Sequence, residues 1–209
     1  MTYPQESQEL IALLETDQIE WKDFARAEHE ADDKTSLDTE RAALHQRVQL
    51  RAERMLEILD TIGEPTLSNI GADAAQAVSI LALHCSSRDI LSRVLKAFQT
   101  CYGQTPENTY TKAIPSMTDW TLLLERKPQR YGTIWLIDSS NNDRFLPTVE
   151  DFKHVNERRK EYNIEPLRWP KSLAIPESEQ PWLQRPLSEL VMRDPTDAEY
   201  HEFADEYLS

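Results

Sequence analysis

Near the middle of the chain, Gln129-Arg130-Tyr131-Gly132-Thr133 places an amide, a phenol and a hydroxyl around a glycine. Glycine is scarce: Gly63, Gly71, Gly103 and Gly132 are the only four in 209 residues. Each is expected where the backbone needs φ > 0 or a close approach. In an extended stretch Gln129, Tyr131 and Thr133 would face one side, a polar floor for a small ligand, with Gly132 leaving the opposite side open. The same three side chains could instead tie neighbouring loops at the entry to a hairpin. His84, near the end of an expected helix, is a candidate general acid or base with Asp119 as the carboxylate that orients it, or else a cap on that helix's last carbonyls. Arg158 and Arg159 suit a carboxylate or phosphate bidentately. Adjacent on a helix, they point about 100° apart, so one would face a pocket and the other solvent or acidic flanks.

Other chemistries find little support. There is no Gly-x-Ser-x-Gly, no glycine-rich phosphate loop and no His-Glu-x-x-His. Cys85 follows His84 directly, and adjacent helical residues do not face each other. Cys85 and Cys101 make neither a disulfide framework nor a metal spacing. His29, His45, His154 and His201 are scattered. No metal and no cofactor are expected.

The elements that must position these residues are mostly helices. Two are expected at about 5–14 and 17–31, the second carrying Ile19, Trp21 and Phe24, with a break at 32–36. A long helix follows to Ile62, its stripe Leu44, Val48, Ala52, Met55, Leu59 and Ile62 spaced by 4, 4, 3, 4 and 3. Arg47, Arg51 and Arg54 flank that stripe, either as an anion-binding row or as partners for acidic residues of neighbouring helices; the abundance of acids favours the second. Gly63 and Pro65 end the helix. The next is expected over Ala72–Cys85. Ser86 and Asp89 then read as a capping box, followed by a stripe of Leu91, Val94, Leu95, Phe98 and Tyr102 that Gly103 stops. Thr105-Pro106 opens another helix, Pro115 interrupts it, and Ser116 with Asp119 reads as a further capping box. Beyond Pro128 the pattern alternates: Thr133–Asp138, a turn at 139–143, and Arg144-Phe145-Leu146 read as a small β-hairpin. Thr148 and Asp151 cap a helix to about Tyr162. Prolines 170, 176, 181 and 186 mark an arm, and Asp194-Pro195 opens a last acidic helix.

Charge is unevenly spread. The net charge is -14, yet residues 63–167 hold 12 Lys+Arg against 13 Asp+Glu, so the acidity lies in the flanks. Acidic flanks argue against nucleic acid, which needs a basic footprint. They suit solubility or capture of a basic protein. No apolar run approaches the roughly 18 residues of a membrane span, and Met1-Thr2-Tyr3-Pro4-Gln5-Glu6 has no signal-peptide character. A cytoplasmic protein is expected.

Gly63-Glu64-Pro65-Thr66, Gly71, Leu83-His84, Thr118-Asp119, Gln129-Arg130-Tyr131-Gly132-Thr133, Asn156-Glu157-Arg158-Arg159 and Ile164-Glu165-Pro166-Leu167 occur in that order. The series resembles a widespread bacterial domain of unknown function, over about residues 60–167. The resemblance implies a Gly-Trp-Pro-Thr start, Gln-His late in a helix, Thr-Asp-Arg, Gln-x-Tyr-Gly-Thr-Gln and Arg-Arg. Here Glu64 stands for the tryptophan, Leu83 for the glutamine, Ser86 for an aspartate after the histidine, Trp120 for the arginine and Ile134 for the last glutamine. The resemblance brings no activity with it.

The sequence thus points to a mainly α protein, a multi-helix bundle with one small β-hairpin. An acidic helical extension packed on the core (1–62), a core with the candidate pocket (63–167) and a proline-rich arm with an acidic helix (168–209) are expected. The leading functional expectation is a pocket for a small molecule or peptide terminus around His84, Asp119, Gln129, Tyr131 and an arginine, with any catalysis acid–base and hydrolase-like. The rival is an acidic binding module, immunity- or antitoxin-like, that neutralises a basic partner.

Overall fold

The computed structural model describes residues 1–30, 34–85, 87–138, 144–146, 148–167 and 190–192. It is mainly helical. The chain divides into two compact units, Met1–Met117 and Thr118–Ser209.

In the first unit, α1 (Pro4–Glu30) is one helix where two were expected. Nothing between Leu14 and Asp17 breaks it: Thr16 stays helical and bonds the carbonyl of Ala12. Proline at the first position costs nothing, because that N–H has no intrahelical acceptor. α2 (Lys34–Ile62) ends where Gly63 takes φ +74°. All six residues of its expected stripe are buried. α3 (Leu67–His84) is capped by Thr66, which accepts the N–H of Asn69, and it kinks at Gly71 (φ +79°). The kink explains why the apolar period reads as starting at Ala72. α1, α2 and α3 pack on one another, and α4 (Arg88–Gln104) packs on α2 and α3. The cap of α4 is Ser87, which accepts the N–H of Ile90, not the expected Ser86, which lies outside the described residues.

Pro106–Asn108 makes only a 3-10 turn. α5 (Ala113–Leu124) starts three residues before the expected Ser116 cap. Pro115 sits within its first turn, where proline is tolerated. Asp119 is therefore inside a helix, and its carboxylate is spent elsewhere. In the second unit α6 (Val155–Glu161) follows a 3-10 turn (Phe152–His154), and neither Asp151 before the turn nor His154 before the helix gives a side-chain cap. Strand segments β1 (Leu136–Asp138), β2 (Arg144–Phe145) and β3 (Leu190–Met192) pair antiparallel in the order β2-β1-β3. The turn at 139–143, the proline-rich arm and the last acidic helix lie outside the described residues. A small core of Leu146, Val149, Val155 and Leu167, with Trp135 against it, supports this unit.

Candidate functional site

The expected site residues fall into two groups, one in each unit. In the first unit, α1 carries Leu10, Asp17 and Phe24 at seven-residue spacing, hence on one face, and all three are buried. Asp17 has no solvent-exposed surface. Its Oδ1 accepts from Nε (3.1 Å) and Nη2 (2.9 Å) of Arg51 on α2. Its Oδ2 meets Nδ1 of His84, near the end of α3, at 2.5 Å. A carboxylate can only accept, so His84 donates Nδ1–H to it. Asp119, expected to orient His84, does not do so; Asp17 does.

This carboxylate is well held. Glu20 receives both Arg51 (2.9 Å) and Arg47 (3.0 Å), so two acids and two guanidiniums balance in charge. Burying charge this way is tolerable only with such complete pairing. The His84 side chain keeps 23% of its surface exposed, and its Nε2 makes no bond among the described residues. Trp21 packs edge-on against His84 and His45, at ring-centroid distances of 5.9 and 5.8 Å. The Trp21 indole N–H is buried without an acceptor among the described residues. Burial, with the Arg41 charge nearby, holds the His45 imidazole below its ordinary pKa. Cys85 donates to Gln49, and burial pushes its thiol pKa up.

The arginine row is the ion-pairing flank rather than an anion site. Arg41 meets Glu28, Arg47 meets Glu20, Arg51 meets Asp17 and Glu20, and Arg54 meets Glu9 and Glu57. Arg54 and Glu9 also line a shallow polar hollow with Gln5, Glu6, Ile58 and Thr61.

In the second unit, the Gln-x-Tyr-Gly-Thr motif is a loop gripped by side chains. Asp119, fully buried, accepts the N–H groups of Arg130 (2.7 Å), Tyr131 (2.9 Å) and Thr133 (2.8 Å) and the Thr133 hydroxyl (2.7 Å). Burial pushes its carboxyl above the usual range, against the pull of those bonds. The Gln129 side chain both donates to the Ile134 carbonyl (2.9 Å) and accepts its N–H (2.8 Å), as a neighbouring strand would. Asn156 repeats the device on Leu167. The Gln129 backbone bridges Thr148 and Glu150.

Arg158 and Arg159 both reach this loop, instead of one of them facing solvent. Arg158 donates to the carbonyls of Arg130, Glu150 and Asp151. Arg159 donates to those of Tyr131, Gly132 and Glu165. Gly132 takes φ +64°, and a Cβ there would lie 3.0 Å from Leu167 and 3.1 Å from Val149. Its opposite side is therefore filled, not open. Gln129, Tyr131 and Thr133 form no shared floor: they turn to Ile134, Tyr162 and Asp119 respectively. Tyr131 is buried, and desolvation and its bond to Tyr162 push its phenol well above the ordinary value.

Asp119, Gln129, Tyr131, Gly132, Thr133, Arg158 and Arg159 thus belong to one loop assembly, and His84 belongs to another centre. Among the described residues no cluster of His, Cys, Asp and Glu could hold a metal, and no helix is long and apolar enough to cross a membrane. Comparison with protein-family models, with curated proteins and with solved structures finds no match. Reading the sequence missed Asp17, and it took Arg51 for an ion-pairing member of the row that flanks the α2 stripe. The signal for Asp17 was present: it is a charge on an apolar face, between Leu10 and Phe24.

Proposed function

We propose that this is a cytoplasmic helical protein whose working centre is His84, taking a small molecule or a peptide terminus and exchanging a proton with it through Nε2. One observation carries the reading: a buried carboxylate, forked by Arg51, fixes Nδ1 of His84, while the other ring nitrogen makes no bond among the described residues. A carboxylate so placed sets tautomer and orientation, as an acid–base imidazole requires. The unpartnered indole N–H of Trp21 adds a donor beside the ring. Any catalysis would be acid–base and hydrolytic. The loop built on Asp119, Gln129, Thr133, Arg158 and Arg159 then serves as a rigid scaffold rather than a catalytic floor. The ordered motifs support kinship with the bacterial domain named above, and the alternating stretch at 133–146 supports a hairpin as its β element.

The test is a ligand screen by thermal shift on the wild-type chain, on His84→Gln and on Asp17→Asn. Ligands that stabilise the wild type should lose their effect in His84→Gln. Equal stabilisation of both by every hit would remove His84 from the site.

A second reading is favoured by the internal pairing of Arg41, Arg47, Arg51 and Arg54. With those cations already engaged, the first unit offers a basic protein mostly acids, as a neutralising partner would. That reading expects association that weakens steeply with salt. A pull-down at low salt that returns no basic protein would count against it.

A further inference from the structure

The loop at 129–133 is held from behind by five side chains, and what it holds out is Arg130. Arg130 is exposed and forms no ion pair with a carboxylate among the described residues, whereas Arg41, Arg47, Arg51, Arg54 and Arg93 in the first unit all do. Its guanidinium carbon lies 6.0 Å from the centroid of the Tyr131 ring. Tyr131 also packs edge-on against Tyr162, with ring centroids 5.4 Å apart. A guanidinium and two phenols from two elements, the loop and the end of α6, therefore share one edge.

The main chain beneath is fixed. The N–H groups of Arg130 and Tyr131 are bound to Asp119, and their carbonyls to Arg158 and Arg159. An arginine on such a base loses less freedom on binding than one on a mobile loop. Its ring contact further limits where the fork can point. A side chain that needs a planar oxyanion, presented without one by a main chain whose own polar groups are satisfied, is the arrangement of a recognition group.

We propose that Arg130, backed by the Tyr131 ring beside Tyr162, forms a subsite for an oxyanion, a carboxylate or a phosphate. It lies in the second unit and is independent of the reading of His84. Its ligand is a small acid, a phosphorylated group or a peptide C-terminus, whose charge the guanidinium meets bidentately.

The experiment titrates the isotope-labelled full chain with sodium phosphate and, separately, sodium acetate, holding ionic strength constant with chloride. Saturable amide shifts confined to residues 130–133 and 162 are expected with at least one probe; the tighter probe tells phosphate from carboxylate. Arg130→Gln should weaken that binding at least about tenfold, as loss of a bidentate charged contact does. Lys153→Gln should leave it unchanged. A second measurement needs no variant: the favoured anion should slow modification of Arg130 by phenylglyoxal in the wild-type chain. Shifts that only drift linearly with both anions, equal binding by Arg130→Gln, or an unprotected Arg130 would each overturn the proposal.

Discussion

The two units use charged side chains in opposite ways. In the first, Asp17, Glu20, Arg47, Arg51 and His84 bond one another across three helices. In the second, Asp119, Gln129, Arg158 and Arg159 bond the backbone of a single loop. The difference follows from what each backbone needs. A helix satisfies its own N–H and C=O groups, so its side chains remain available to meet each other. An irregular buried loop has no such ladder, and side chains must complete it. Polar residues in a motif therefore do not announce a ligand; in the second unit most of them announce an irregular backbone.

The largest expected effect breaks that loop. Asp119→Ala leaves three N–H groups, that of Tyr131 buried, and the Thr133 hydroxyl without an acceptor, and should destabilise the second unit by about 3–5 kcal/mol. Hydrogen exchange should show it: amides 130, 131 and 133 lose protection while those of α1–α4 keep theirs. Loss spread evenly over both units would erase the contrast between them.

Gly132→Ala comes next. The left-handed backbone and the contacts with Leu167 and Val149 both oppose a Cβ, so about 2 kcal/mol should be lost. Denaturant melts measure it, and a neutral outcome would mean that the loop relaxes where it is described as clamped.

Alkaline pH should act on the helical unit. Burial, aided by Glu64, pushes the Cys101 thiol up to about 11. An unfolded thiol ionises near pH 8.5, so above that value the unfolded state binds fewer protons than the folded one. Stability should therefore fall as pH rises from about 9 to 11, by on the order of 2 kcal/mol. Cys101→Ala should flatten the slope in melts taken across that range.

The smallest effect lies at the edge of the ion-pair ladder. Arg47 is largely exposed where it meets Glu20, and Arg47→Ala should cost below about 0.5 kcal/mol in the same melts. A cost comparable with that of Asp119→Ala would mean that the ladder, not the buried carboxylate at its centre, secures the helices.

Legibility in the sequence followed the same division. The helical stripe from Leu44 to Ile62 was readable because a period of 3.6 residues repeats without exception. Gly71 was legible as a backbone need, although its kink hid one turn of α3. His84 was read as a histidine oriented by Asp119, and the carboxylate it meets is Asp17. Asp17 stands 67 positions away in sequence among many acids, and only its place on the Leu10–Phe24 face marks it. The loop residues were all named in advance, yet their roles were not. Alternation suggested an extended strand, whereas Gly132 at φ +64° turns the chain. Arg130 was passed over because nothing in the sequence shows which arginine is left without an acid.

The account rests most on His84 being fixed by Asp17, with Nε2 unbonded among the described residues. Long-range proton–nitrogen NMR on the imidazole, recorded across a pH series, reads this directly. The neutral ring should carry its proton on Nδ1, and Asp17→Asn should abolish that preference. A ring protonated on Nε2, or one whose tautomer ignores Asp17→Asn, would contradict the account.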